Sequence, residues 1–140
     1  MPQPRPSLTL TLLQAREAAM RFFRPQLNLH DLTEQQWRVI RILRQHGTLE
    51  SHQLARLACI LRPSMSGVLA RLERDGMVVR RKMAGDQRRI KVSLTAQGEQ
   101  YFTSMSAEME NNYRRIQEQM GEDKLSRLLE LLSELRDVKP

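Results

Sequence analysis

The chain has 140 residues, 40% hydrophobic and 28% charged, with a formal net charge of +7. That length suits one domain rather than a two-lobed enzyme, and the absence of an apolar run of about 18 residues or of a secretory core in its Pro-rich start leads us to expect a cytoplasmic protein that spans no membrane. Residues 1–49 hold 7 basic and 3 acidic groups, residues 50–94 hold 10 and 4, and residues 95–140 hold 6 and 9, a split suited to separate nucleic-acid-facing and partner-facing regions.

From Ser7 to about Asn28 the spacing predicts a helix with two apolar stripes, one through Leu8, Leu12, Ala15, Ala19 and Phe22, the other through Leu13, Met20, Phe23 and Leu27. Pro25 is expected to end or bend it. Arg16 fills the vacant slot of the second stripe, where a guanidinium needs a partner or a route to water. Thr33 and Gln36 form a capping box that opens a second helix through Trp37, Val39, Ile40 and Leu43, closed by Gly47. A short third helix is expected after Ser51 as its cap, with Leu54, Leu57 and Ala58 on one face. Cys59 begins an apolar turn in which cysteine is expected to pack inertly; being the chain's one cysteine, it has no intramolecular disulfide partner. Pro63 suits the first turn of a fourth helix running through Val68, Leu69 and Leu72, and Gly76 suits the left-handed position after its end. Two short helices joined by a tight turn make a helix-turn-helix.

After Gly76 the period becomes strand-like. Residues 77–82 and 90–94 read as a β-hairpin around a polar tip, Ala84 to Arg89, with Ile90, Val92 and Leu94 on the buried face. Thr95 and Gly98 open a long helix with an apolar stripe from Met105 through Met109, Tyr113 and Ile116 to Met120, and Gly121 breaks it. The last segment, with leucines at 125, 128, 129, 131, 132 and 135, carries more apolar surface than so small a chain can bury, so it is expected to pack on another chain.

No phosphate-binding glycine loop, HExxH motif or nucleophile paired with an oriented base is present, so no catalytic site is expected. His30, His46, His52 and Cys59 show no usual ligand spacing, and no metal site is expected; sensing by a metal or by oxidation of Cys59 remain alternatives.

The motifs QLARLA (53–58), RPSMSGVLARLERDG (62–76), GDQRR (85–89) and VSLTAQG (92–98), in this order, closely resemble the MarR family of bacterial regulators. The segments LLQAREAAM (12–20), FFRP (22–25), LTEQQWRVI (32–40) and ACILRPS (58–64) are similar to the branch of that family that controls 4-hydroxyphenylacetate and homoprotocatechuate catabolism. The resemblance implies a mainly α winged helix-turn-helix with a small β-hairpin wing, acting as a homodimer held by its terminal helices. It divides the chain into an N-terminal arm and dimerisation helix (1–32), a DNA-binding lobe (33–95) and C-terminal dimerisation helices (96–140). The implied partner is double-stranded DNA with a pseudo-palindromic operator.

In such a protein the second helix of the motif enters the major groove. Pro63, Ser64, Ser66 and Gly67 would approach closely and Arg71 would fork onto a guanine; Ser64 or Ser66 could instead simply cap the helix. Arg62 and Arg74 would clamp phosphates, or lie solvated on the surface. At the wing, Asp86 would orient arginines, Arg88 would enter the minor groove, and Arg80, Arg81, Lys82, Arg89 and Lys91 would contact phosphates. No cofactor is expected, but an aromatic acid effector such as 4-hydroxyphenylacetate or 3,4-dihydroxyphenylacetate is implied. Arg16 would anchor its carboxylate, with Met20, His30 and Trp37 around it. Equally, Arg16 could pair with an acid such as Glu17 of a second copy, Trp37 could be plain core, and His30 could be a solvated loop residue.

Overall fold

The computed structural model describes residues 3–140; the first two residues of the Pro-rich arm lie outside the described part. The described residues form seven helices and three strands, α1 (Leu8–Met20), α2 (Arg24–Leu29), α3 (Glu34–His46), β1 (Leu49–Glu50), α4 (Ser51–Ala58), α5 (Arg62–Arg74), β2 (Val78–Met83), β3 (Asp86–Leu94), α6 (Ala96–Met120) and α7 (Glu122–Arg136). No helix among them is long and apolar enough to cross a membrane. Contacts gather into two units, residues 26–107 and the remainder at the two ends of the chain.

In the terminal unit, Ser7 caps α1 by accepting the Leu10 N–H at 3.2 Å. The expected continuous helix to Asn28 is divided: a turn at residues 21–23 separates α1 from α2, and Pro25 stands in the first turn of α2 instead of ending a helix. The reason is steric. A helix continuing through Pro25 would drive its ring against the Arg21 carbonyl, whereas in the first turn the missing N–H costs nothing. Arg24 forks onto Glu17 at 2.8 and 2.9 Å, and the Arg115 guanidinium lies 5.2 Å from the centre of the Phe22 ring. Met109 and Leu125 are buried, whereas α1 buries no residue, and Leu8, Leu10, Leu13, Leu128, Leu129, Leu131 and Leu132 remain exposed.

In the central unit, α3, α4 and α5 pack together, and their apolar faces (Val39, Ile40, Leu43, Leu54, Ala58, Met65, Val68, Leu69, Leu72) form the core with Val78 and Val92 of the sheet. Thr33 and Gln36 make the expected capping box at 3.1 and 2.9 Å. α4 is capped differently from expectation: Glu50, not Ser51, is its N-cap, and the Gln53 side chain accepts the Glu50 N–H at 3.0 Å. This happens because Glu50 is already held in extended geometry by β1, a strand too short to announce itself by periodicity. The sheet order is β1-β3-β2, all antiparallel, so the hairpin gains a third strand through Leu49 opposite Val92. The hairpin is also tighter than expected. β3 begins at Asp86, which leaves only Ala84 and Gly85 (φ 85°) at the tip and places Asp86 to Arg89 on a strand.

The base of the hairpin is tied at one point. The Met77 carbonyl accepts the Thr95 N–H at 3.0 Å and its hydroxyl at 3.2 Å, that hydroxyl also donates to the Gly76 carbonyl at 2.6 Å, and the Gly98 N–H is taken by the Thr95 oxygen at 3.0 Å. A side chain at Gly98 has no room, since a Cβ there would stand 2.3 Å from the Met77 carbonyl oxygen. Overpacking against backbone typically costs about 1–3 kcal/mol. Gly98→Ala is therefore expected to lower stability by about that amount in urea titration, and an unchanged midpoint would show that the hairpin base yields freely.

Candidate nucleic-acid interface

The turn between α4 and α5 is built from backbone constraints. Cys59 takes a left-handed conformation (φ 54°), the Ile60 N–H returns to the Ala55 carbonyl at 3.0 Å, and the Arg38 guanidinium donates to the Ala58 carbonyl at 2.7 Å. A cation on the last carbonyls of α4 suits the negative end of that helix. Cys59 is exposed rather than packed as expected, because its backbone carries the turn while Ile60 turns into the core. α5 then starts at Arg62 with Leu61 as N-cap and no side-chain cap, so neither Ser64 nor Ser66 is spent on capping; both are exposed. Pro63 occupies the first turn, as expected.

An open groove of about 310 Å³ runs between α5 and the hairpin, lined by Ser51, His52, Arg62, Met65, Ser66, Leu69, Arg80, Arg88, Arg89 and Ile90. Four arginines from three elements thus face one concavity. Arg62 and Arg71 are exposed and make no ion pair among the described residues, and Arg74 is exposed with Asp75 3.4 Å away. Pro63, Ser64 and Gly67 are exposed on α5 but do not line the groove. Asp86 accepts the Arg88 N–H at 3.0 Å and lies 3.8 Å from its guanidinium, while the Arg88 side chain, 96% exposed, stands out from the strand. Arg81 sits across the ladder from Lys91, a like-charge pair that an anion between them would relieve.

Two carboxylates at this surface were not singled out from the sequence. Glu73 of α5 accepts from the Arg80 backbone (3.2 Å) and guanidinium (3.0 and 3.3 Å), and Glu50 of β1 accepts from Arg89 of β3 and lies within hydrogen-bond reach of His52 of α4. Arg80 bonds hold the Glu73 carboxyl below its ordinary value; the His52 bond, then that of Arg89, does the same for Glu50. Partners 7 and 39 residues apart leave no local spacing signal.

The residues expected to meet an effector fall in both units. Arg16 is half-exposed and pairs with Glu17 of its own chain at 3.3 Å, and Met20 is half-buried. Trp37 is buried and stacks on Phe102 (5.5 Å between ring centres, 8° between planes), with the Arg44 guanidinium on the same Phe102 ring. His30 is exposed, its ring edge-on to Tyr101, whose hydroxyl donates to the His30 carbonyl at 3.3 Å. Among the described residues no three His, Cys, Asp or Glu side chains are grouped to hold a metal.

The MarR family model matches residues 32–90. The homoprotocatechuate degradative operon repressor of Escherichia coli is 49% identical over 128 residues, 91% of this chain and 86% of that protein. The chain belongs to the MarR family. It is accordingly a DNA-binding transcriptional regulator and not an enzyme, and its mainly helical winged helix-turn-helix is that of the family's solved structures. The crystal structure of transcriptional regulator PA4135 is 72% identical with a TM-score of 0.94, covering 97% of this chain and 100% of that one. NadR in complex with 4-hydroxyphenylacetate is 46% identical with a TM-score of 0.86, covering 99% and 100%.

A group whose pKa is depressed on folding contributes stability above its unfolded value and loses it as pH falls through its folded value. For Glu50 and Glu73 the window therefore opens at the ordinary 4.5 and extends below it. The wild-type melting temperature is expected to fall more steeply across that acid range than that of a Glu50→Gln/Glu73→Gln double variant; parallel curves would mean the two carboxylates contribute nothing to the fold.

Proposed function

We propose that this MarR-family protein represses an aromatic-acid catabolic operon, binding a pseudo-palindromic operator as a cytoplasmic homodimer and leaving it when an aromatic carboxylate binds. The observation that carries the DNA half is the groove onto which Arg62 and Ser66 of α5 and Arg88 and Arg89 of the wing all open. A helix of this kind enters the major groove with its first turns on the base edges. Pro63, Ser64, Ser66 and Gly67 then give close approach, Arg71 reads a guanine, and Arg62 and Arg74 neutralise phosphates. Arg88, held at its backbone by Asp86, is assigned to the minor groove. The exposed leucines of α1 and α7 support pairing of two copies, which would read half-sites about 34–36 Å apart.

Repression and the effector rest on likeness to the E. coli repressor and to NadR, whose structure holds 4-hydroxyphenylacetate. Arg16 is assigned to the carboxylate of such an acid, exchanging Glu17 for it. The ligand would act by favouring a conformation whose two recognition helices no longer match successive major grooves, to the extent of its differential affinity.

On a duplex enriched from random sequence, Arg88→Ala is expected to weaken binding by about tenfold or more and to lessen the salt slope by about 0.9, with melting unchanged. Unaltered affinity would remove the wing from the interface. In calorimetry, 4-hydroxyphenylacetate is expected to bind wild type and to lose most of its affinity for Arg16→Ala, and equal binding to both would take Arg16 out of the effector site.

A further inference from the structure

A negative charge near a DNA-binding groove opposes the phosphate backbone, yet two of the arginines that line this one are paired with glutamates, Arg80 with Glu73 of α5 and Arg89 with Glu50 of β1. Glu73 takes the backbone N–H of Arg80 as well as its guanidinium, so the pair fixes the strand β2 itself and not merely a side chain. Arg80 keeps only 27% of its side chain exposed, against 96% for Arg88. Glu50, 12% exposed, receives Arg89 from β3 and His52 from α4. One bridge therefore joins β2 to the recognition helix, and the other joins β3 to the strand and helix that precede it.

We propose that Glu73 and Glu50 are positioning residues for operator recognition, holding Arg80 and Arg89 as struts that set the wing against α5, so that direct contact with the DNA is left to Arg88 and the arginines of α5. This reassigns Arg80 and Arg89 from phosphate contact to support, and it deepens the reading of the groove as the operator surface, on which it rests. Charge and geometry predict opposite signs. If the glutamates merely stood near the DNA, removing their charge would tighten binding; as struts, they fix the hairpin before binding, and their loss makes the complex bear the ordering cost.

The test uses the full chain, a duplex enriched from random sequence by the wild type, and a scrambled duplex of equal length. Failure of the wild type to enrich any sequence would overturn the operator reading itself, before any strut variant is compared. Given enrichment, Glu73→Gln is expected to weaken binding to the enriched duplex about tenfold while the scrambled duplex binds as before or more tightly. Arg80→Gln should lose as much, and the double variant no more than either single, because both changes remove one device. Its salt slope should match that of the wild type, since no phosphate contact is lost; a slope lower by about 0.9 would return Arg80 to the phosphates. Wild-type or tighter binding of the enriched duplex by Glu73→Gln, or additive losses in the double variant, would also overturn the strut. Should Glu73→Gln lose its helical circular dichroism, the Arg80→Gln slope still decides. Glu50→Gln and Arg89→Gln form the second cycle with the same criteria, so each strut stands or falls separately.

Discussion

The groove between α5 and the hairpin hangs from the bonding of one carbonyl. The chain leaves α5 through Gly76 (φ 77°), and the Met77 N–H returns to the Leu72 carbonyl at 2.9 Å while the Met77 carbonyl takes both donors of Thr95. The outgoing and returning strands of the hairpin are thereby fixed at one place, which sets Val78 opposite Leu94 and determines the register outward to the tip. Because side chains alternate along a strand, a slip of one residue would turn Val92 out to water and bring Lys91 in. The absent side chain of Gly98 is what allows α6 to begin so close to that carbonyl.

From that fixed base the site follows as a matter of charge placement. A hairpin carrying Arg80, Arg81, Lys82, Arg88, Arg89 and Lys91 repels itself, and the fold answers with acids taken from three directions: Glu73 from α5, Glu50 from β1 and Asp86 from the start of β3. None of these ion pairs is fully buried, so each stabilises modestly and yields to salt. Their greater effect is on direction. Arg80 and Arg89 are held by close carboxylates, whereas Arg88, 96% exposed with Asp86 3.8 Å away, and Arg62 and Arg71, without an ion pair among the described residues, keep their charge for a partner.

The parts of the fold legible in the sequence were those written in local chemistry. The Thr33 capping box, Pro63 in the first turn of α5, Gly76 at positive φ, the break at Gly121 and the Thr95 to Gly98 start of α6 all depend on residues no more than a few positions apart. What escaped depended on distance or on length. β1 has two residues and no period to read, so the sequence points to Ser51 as the cap of α4 where the fold uses Glu50. The hairpin tip reads wider than it is because Asp86 to Arg89 are uniformly polar, which suggests a loop, although their backbones pair with β2 or continue β3. The sequence points to Pro25 for a break that falls a few residues earlier, after Met20, since proline forbids the turn before it more than the one after. Arg62, Arg88 and Arg89 at the groove fall within the family motifs, but the division between held and available arginines has no signal there. Whether a cation is available or held is decided by carboxylates that only the folded chain brings beside it.

If the groove is the operator surface proposed above, that division is what lets an excess of positive charge be selective. A loop bearing the same arginines would bind any phosphate backbone with similar strength, since counterion release does not depend on sequence. Selectivity requires the cations to arrive in a geometry that some grooves match and others do not, and flexible arginines supply it only when the backbone beneath them is rigid. A three-stranded sheet anchored at Met77, joined to α5 through Glu73 and to α4 through Glu50 and His52, provides that rigidity. On the strut proposal, the acidic residues within a basic site lower its overall attraction for DNA and raise the fraction of that attraction that depends on shape.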